Sequence, residues 1–200
     1  RFFDNHGLLT VSDQPQWYTV QGGSQEYVKR LTASFADKIK TNSAVKKVTR
    51  HKSGVTVVDV QGDAQEYDEV VFACHSDQVL AMLENPTEAE RDIIGAIKYS
   101  NNKVILHRDR SFMPQRKAAW SSWVYLSENR KDEKANVSLS YWMNNLQPLK
   151  TDTEIFVTLN PSRRPAQHLI DDECELQHPI FDEAAIVAQT RIGGIQGKDK

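Results

Sequence analysis

No Gly-x-Gly-x-x-Gly turn occurs in this chain. The glycine-dense stretch Gly193-Gly194-Ile195-Gln196-Gly197 lacks the strand, turn and helix that would make it a pyrophosphate cradle. Cysteine is scarce: Cys74 and Cys174 are the only two, with no C-x-x-C spacing, which excludes the usual cysteine metal site. One disulfide stays formally open, but two free thiols in a reducing, cytoplasmic setting are the expectation. No apolar run reaches the roughly 20 residues of a membrane-crossing helix, and no charged-then-apolar leader opens the chain. Charge of one sign is lacking too. The formal net charge of −2 argues against a nucleic-acid binder driven by bulk charge, although Arg108, Arg110, Arg116 and Lys117 cluster locally. There is no internal repeat, no low-complexity tract and no recognisable nucleophile elbow with Ser, His and Asp.

What is present is the composition of a globular protein, with 39% hydrophobic and 26% charged residues over a length of 200 that can bury an ordinary core. The chain runs from Arg1 to Gly197-Lys198-Asp199-Lys200, and we expect it to be a piece of a longer protein. The organising stretch runs from Val20 to His75. It opens on Gly22-Gly23-Ser24, with Ser24 placed to cap a helix over 25–39. Tyr27, Val28, Leu31, Phe35 and Ile39 recur at helical spacing on one face of it. A strand over 44–50 follows, then a hairpin with arms at 54–60 and 66–73 around Gln61-Gly62-Asp63. Its second arm contains Val70-Val71-Phe72 without alternation, which predicts burial on both faces.

Upstream, Phe2, Phe3, Leu8 and Leu9 flank a turn at Asp4-Asn5-His6-Gly7, and Asp13-Gln14-Pro15 is a second turn signal. Downstream, Ser76 is placed to cap a short helix carrying Val79, Leu80, Met82 and Leu83. Thr87 and Glu90 have capping-box spacing before a helix lined by Ile93, Ile94 and Ile97. From Asn102 the pattern predicts an antiparallel meander with strands at 103–107, 119–126, 136–143 and 154–159, separated by polar loops at 127–134 and 144–152. From Arg163 onward the chain reads as helix and loop.

Several constellations could carry chemistry. The Gly-Gly turn reads as a helix entry, and equally allows close approach by a ligand. Val45 reads as a strand residue. Cys74 and His75 are adjacent, so on a strand they point to opposite faces and make a poor nucleophile pair; a capping or supporting role for His75 is expected instead. Trp120, Trp123, Tyr125, Tyr141 and Trp142 form an aromatic set in which Trp123 and Tyr125 share one strand face. They read as sheet core, with Asn144 and Asn145 following at a strand end, where they could supply polar contacts. Asp171, Asp172, Glu173 and Glu175 read as a solvated face; His168 and His178 flank them, and no metal is expected.

The segments 17–30 (WYTVQGGSQEYVKR), 70–78 (VVFACHSDQ) and 141–145 (YWMNN) together resemble the flavin-containing amine oxidase and phytoene desaturase superfamily, in a bacterial NAD/FAD-binding, amine-oxidase-like subgroup. The resemblance covers nearly the whole chain. It implies an α+β fragment of a two-domain FAD-dependent oxidoreductase: an α/β portion of the FAD domain plus an antiparallel-sheet substrate domain. Residues 1–19 and 76–185 would belong to the substrate domain, and 20–75 and 186–200 to the FAD domain. It implies cofactor contacts at Gly22, Gly23 and Ser24 near the flavin ring, with Glu26 a weaker candidate for facing the cavity. Val45 would meet the adenine through its backbone, and Ala73 and Cys74 would lie near the adenosine. Ala44 departs from the family's usual Pro, and His75 from its usual Ala-x-Pro ending. Trp123, Tyr125, Tyr141 and Trp142 would face the substrate. The parent would pass a hydride from an amine, or from an unsaturated or lipid-like small molecule, to FAD. The piece alone, without the dinucleotide turn, would hold FAD weakly or not at all and be inactive. A non-enzymatic α+β ligand-binding module stays open as the alternative. The sequence assigns no catalytic residue and no oligomeric state.

Overall fold

The computed structural model describes residues 7, 9, 10, 12, 13, 15–127 and 137–198. Phe2, Phe3, Leu8, the turn residues 4–6, Gln14, Asn136 and most of the 127–134 loop lie outside them. The described chain forms two compact units, one of residues 1–36 and 103–174, the other of 37–102 and 175–200. Helices and antiparallel sheets are mixed throughout, so the fold is α+β.

In the 37–102 and 175–200 unit, β1 (Val45–His51), β2 (Gly54–Asp59) and β3 (Ala64–Tyr67) form a three-stranded antiparallel sheet. Val48 lies opposite Val57, Arg50 opposite Val55 and His51 opposite Gly54. Gly54 is required by close approach, because a Cβ there would overlap the Tyr67 carbonyl. Asp59 organises the β2–β3 turn: its Oδ1 accepts the Gln61 and Asp63 amides at 2.9 and 3.0 Å. Val48, Val55, Val79 and Leu83 form the core, with Val57, Val70, Phe72 and Ile94 packed on it. Val79 belongs to α2 (Ser76–Met82), after which Leu83 bridges Val48 in parallel and the Glu84 amide donates to the Val48 carbonyl. The next helix, α3 (Glu88–Gly95), starts with the expected capping box: Thr87 Oγ1 accepts the Glu90 amide and Glu90 accepts the Thr87 amide.

The hairpin's second arm ends sooner than its apolar run predicts. β3 stops at Tyr67, and Val70-Val71-Phe72 belongs to no strand. Among the described residues, no backbone hydrogen bond reaches 69–74. Val70 and Phe72 pack on the core, whereas Val71 is 89% exposed, so only one face of the run is covered.

In the 1–36 and 103–174 unit, the helix expected at 25–39 is shorter. It is α1 (Ser24–Thr32), followed by a 3-10 turn at Ala36–Lys38. Gly23 rather than Ser24 occupies the N-cap, with φ 88° and no side-chain cap bond. Of the expected apolar stripe, Tyr27, Val28 and Leu31 fall within α1 and Phe35 and Ile39 beyond it, and no α1 residue is buried. The sheet order is β5-β6-β7-β4-β8, with β4 Lys98–His107, β5 Trp123–Ser127, β6 Val137–Trp142, β7 Phe156–Leu159 and β8 Ile170–Ile180. The β5-β6-β7 meander is as expected; β4 pairs with β7 rather than with β5. The residues before Trp123 form a 3-10 turn, Lys117–Ala119, instead of strand. β8 was missed. Its acidic residues are exposed as a solvated face, but they sit on a strand, with Ile170, Cys174, Leu176 and Ile180 sharing one parity.

Cross-strand register sorts this sheet into two faces. Val124, Ser140, Thr158 and Ile105 follow one another across the four strands, and all four are buried. Trp142, Phe156 and His107 lie on the same face. Met113, Val124 and Phe156 make its core, with Trp120, Leu126 and Trp142 against them.

Candidate functional site

An apolar cleft of about 710 Å³ runs beside β1 in the 37–102 and 175–200 unit. Val45 and Lys46 of β1 form one side of it, and Val70, Ala73 and Cys74 the other. Three residues singled out by sequence, Val45, Ala73 and Cys74, are thereby brought together across about thirty positions of chain. The cleft's walls follow from local structure. The register slips between Val45 and Lys47, which bends the start of β1. Residues 69–74, of which Val70 to Cys74 line the cleft, make no backbone–backbone hydrogen bond among the described residues, so backbone donors and acceptors stand beside an apolar surface. Lys46 is the one charged residue among those lining the cleft. A flat heteroaromatic ring, which needs apolar faces and edge hydrogen bonds, fits that description.

His75 directly follows the cleft wall. It stands at the N-cap of α2, where its carbonyl accepts the Val79 amide. Its ring stacks on Tyr99 with centroids 4.5 Å apart, and its Nδ1 is the one buried side-chain polar atom without a partner among the described residues. The Tyr99 hydroxyl accepts the Ser76 amide at 2.9 Å and lies 3.1 Å from Ser76 Oγ. This supporting contact between Tyr99 and the start of α2 was not legible beforehand.

The other group of expected residues lies in the 1–36 and 103–174 unit. Gly22 and Gly23 both have positive φ, 86° and 88°, and the Gly23 amide closes a turn on the Val20 carbonyl. A Cβ on Gly23 would meet nothing within 4 Å, so the backbone is open to approach there. Ser24 is exposed and begins α1, and Glu26 pairs with Lys29 at 3.4 Å. The open face of the sheet carries Trp123 and Tyr125 of β5 and Tyr141 of β6, with Trp123 directly opposite Tyr141. Their rings meet edge-on at 6.5 Å, and Trp17, upstream of the glycine turn, meets Trp123 edge-on at 6.3 Å. Burial, with Tyr125 nearby, pushes the Tyr141 hydroxyl above its usual range, so it stays protonated at neutral pH. Leu139 and Val157 share this face by register and extend it. Their strand parity alone could have identified them.

Trp142 is separated from that set. It lies on the opposite face against Trp120 at 5.2 Å, and its Nε1 donates to Glu154 Oε2 at 2.6 Å. Lys117 holds the other Glu154 oxygen at 2.6 Å. These bonds hold the Glu154 carboxyl below the usual carboxylate range. Asn144 and Asn145 are likewise engaged in structure, with Asn144 bonding Thr153 and Ile155 and Asn145 bonding Ser122. Cys74 and Cys174 are both exposed free thiols. Among the described residues, no group of His, Cys, Asp or Glu is arranged to hold a metal, and no helix is long and apolar enough to cross a membrane.

Comparison with known proteins places these surfaces in context. Over 58 residues, the chain is 36% identical to AofH of Mycobacterium tuberculosis, whose name assigns it to the flavin-containing monoamine oxidases. That match covers 29% of this chain and 13% of AofH. A fatty acid isomerase from P. acnes superposes with a TM-score of 0.54 at 13% identity, covering 88% of this chain and 45% of that one. A redesigned putrescine oxidase superposes with a TM-score of 0.48 at 17% identity, covering 70% and 29%. The chain thus spans less than half the length of each relative. The family model for flavin containing amine oxidoreductase matches residues 1–173, and the chain belongs to that family.

Proposed function

We propose that the chain is the central part of an FAD-dependent oxidoreductase of the amine-oxidase type. The observation that carries this reading is the convergence of Val45, Ala73 and Cys74 on one apolar cleft. In the whole protein the cleft holds the adenine end of FAD. Unpaired backbone of residues 69–74 supplies edge hydrogen bonds, and Val45 and Val70 supply the apolar faces. The Gly22-Gly23 turn permits close approach of the cofactor's ring system, because no Cβ stands in the way. FAD, when bound, supplies the two-electron acceptor for oxidation of a small molecule.

The aromatic face of Trp123, Tyr125 and Tyr141 orients an apolar or amine-bearing substrate and excludes water from it. Trp142 supports that face from behind, as part of the core on the other side of the sheet. The 200-residue chain by itself lacks the pyrophosphate-binding turn, holds FAD weakly, and has no oxidase activity.

Thiol labelling tests the cleft assignment. In the full-length protein, FAD is expected to slow labelling of Cys74 and leave the exposed Cys174 unaffected. Equal labelling of Cys74 with and without FAD would remove the cleft from the cofactor site.

A further inference from the structure

His107 of β4 is fully buried, and every polar atom of its ring is committed. The Asp109 backbone amide donates to Nδ1 at 3.1 Å, and Nε2 lies 2.7 Å from Thr158 Oγ1. A backbone amide can only donate, so Nδ1 carries no proton and the neutral ring is the Nε2–H tautomer. Thr158 Oγ1 in turn bonds Ser140 Oγ at 2.8 Å, and both hydroxyl residues are fully buried. The ring is walled by Phe112 and Phe156, with centroids 4.9 and 5.7 Å away. A second proton therefore has one place to go, Nδ1, where it would face an N–H.

The nearest carboxylate is that of Asp109 itself, and it is occupied. Oδ1 accepts the Ser111 amide at 3.0 Å and the Ser111 hydroxyl, capping the Arg110–Phe112 turn. Oδ2 accepts the Ala166 amide at 3.2 Å. Arg163 closes the same segment from outside, over the Phe112 ring at 4.2 Å and donating to the Ser111 carbonyl at 2.9 Å. The charged groups facing His107 are therefore Asp109 on the turn, and Arg163 and Asp171 from the segment leading into β8 and its start. β6 and β7 present only the hydroxyls of Ser140 and Thr158.

We propose that His107 and Asp109 form an acid-sensitive latch: a proton taken up at His107 Nδ1 transfers the Asp109 carboxylate from Ser111 and Ala166 to the imidazolium and releases the Arg110–Phe112 turn. The closed form keeps a neutral ring and a fully used carboxylate. The open form gives up four hydrogen bonds, the Asp109 amide to Nδ1 and the three at the Asp109 carboxylate, for one buried ion pair. Burial, opposed by Asp109, lowers the pKa of His107 from its ordinary value, so opening occurs on the acid side of neutrality. The device depends on neither the cofactor nor the oxidoreductase reading.

Amide hydrogen exchange of the full-length protein, corrected for intrinsic rates and read alongside the ring nitrogen shifts of His107, tests it. Protection at Ser111 and Ala166 is expected to fall about tenfold per pH unit as the pH drops toward the His107 titration and to level off below it, while Tyr141 and Val157 stay protected. In His107→Gln the two amides are expected to lose that pH dependence. Should that variant fail to fold, Asp109→Asn serves, with Ser111 protection no longer following the imidazole titration. Unchanged protection at Ser111 and Ala166 through the titration would overturn the latch, as would simultaneous loss of protection across the whole sheet.

Discussion

Glu90 closes its own helix and holds Arg50 of the neighbouring sheet with the same carboxylate. Its Oε2 accepts the Thr87 amide at 2.7 Å, while Oε1 and Oε2 receive Arg50 at 2.7 and 3.0 Å. Both side chains are largely covered, Arg50 at 17% and Glu90 at 10% exposure. Burial pushes the Glu90 carboxyl up, but the bonds from Arg50 and Thr87 outweigh it and leave the carboxyl below its usual value. Removing either member strands a shielded charge. We expect Glu90→Ala to cost about 3 kcal/mol, read as a lower urea midpoint with unchanged slope. A midpoint equal to that of the parent chain would contradict this.

The same pair sets a pH dependence. Because the folded carboxyl lies below its unfolded value, its stabilisation is fully present above the unfolded pKa of about 4.3 and is lost as pH falls through the folded value. The melting temperature of the parent chain should drop across that acid window by more than that of Glu90→Gln. Parallel curves for the two proteins would show that Glu90 does not contribute.

Gly54 separates a steric requirement from ordinary turn flexibility. An added Cβ would overlap the Tyr67 carbonyl, so Gly54→Ala must part β2 from β3. A cost of about 1–3 kcal/mol is expected, and faster amide exchange in Ala64–Tyr67 would localise it. The contrast is Gly62→Ala, where the added Cβ meets nothing within 4 Å and only the positive φ opposes it. Equal losses for the two variants would refute the steric account.

The two tryptophans at the ends of paired strands should behave differently. Trp142 is part of the covered face, so Trp142→Ala is expected to destabilise by about 3–5 kcal/mol. Trp123 is 40% exposed on the open face, so Trp123→Ala should cost far less in denaturation, and in the full-length protein its effect should fall on KM for substrate. A large stability loss at Trp123 with unchanged KM would remove the aromatic face from the substrate site.

Much of this was legible in the sequence because it rests on local rules. The capping box at Thr87, the apolar periodicity of α1, the β1 and β2 strands and the β5-β6-β7 meander all follow from side-chain spacing. Other features depend on the backbone or on distant chain. Ser24 looked like the cap, but Gly23 adopts a φ that a side chain would oppose. β8 was hidden because Asp172 and His178 interrupt its apolar parity and Pro179 reads as a break, while exposed edge strands favour charges such as Asp171, Glu173 and Glu175. Val70-Val71-Phe72 reads as a strand buried on both faces, yet it has no neighbouring strand among the described residues. The aromatic set divided because Trp142 is one residue from Tyr141 and successive strand residues point to opposite faces. The His107 network could not be seen in advance, since Thr158 and Ser140 meet it only through sheet register, and the Asp109 amide turns onto the ring only once β4 has ended.

In the function we propose, this chain supplies the adenine cleft and aromatic wall of a flavoenzyme. The most direct measurement is the visible absorption spectrum of the full-length protein, purified without added cofactor. The account predicts oxidised flavin bands that bleach on reduction. A colourless protein that stays colourless after incubation with FAD would contradict it.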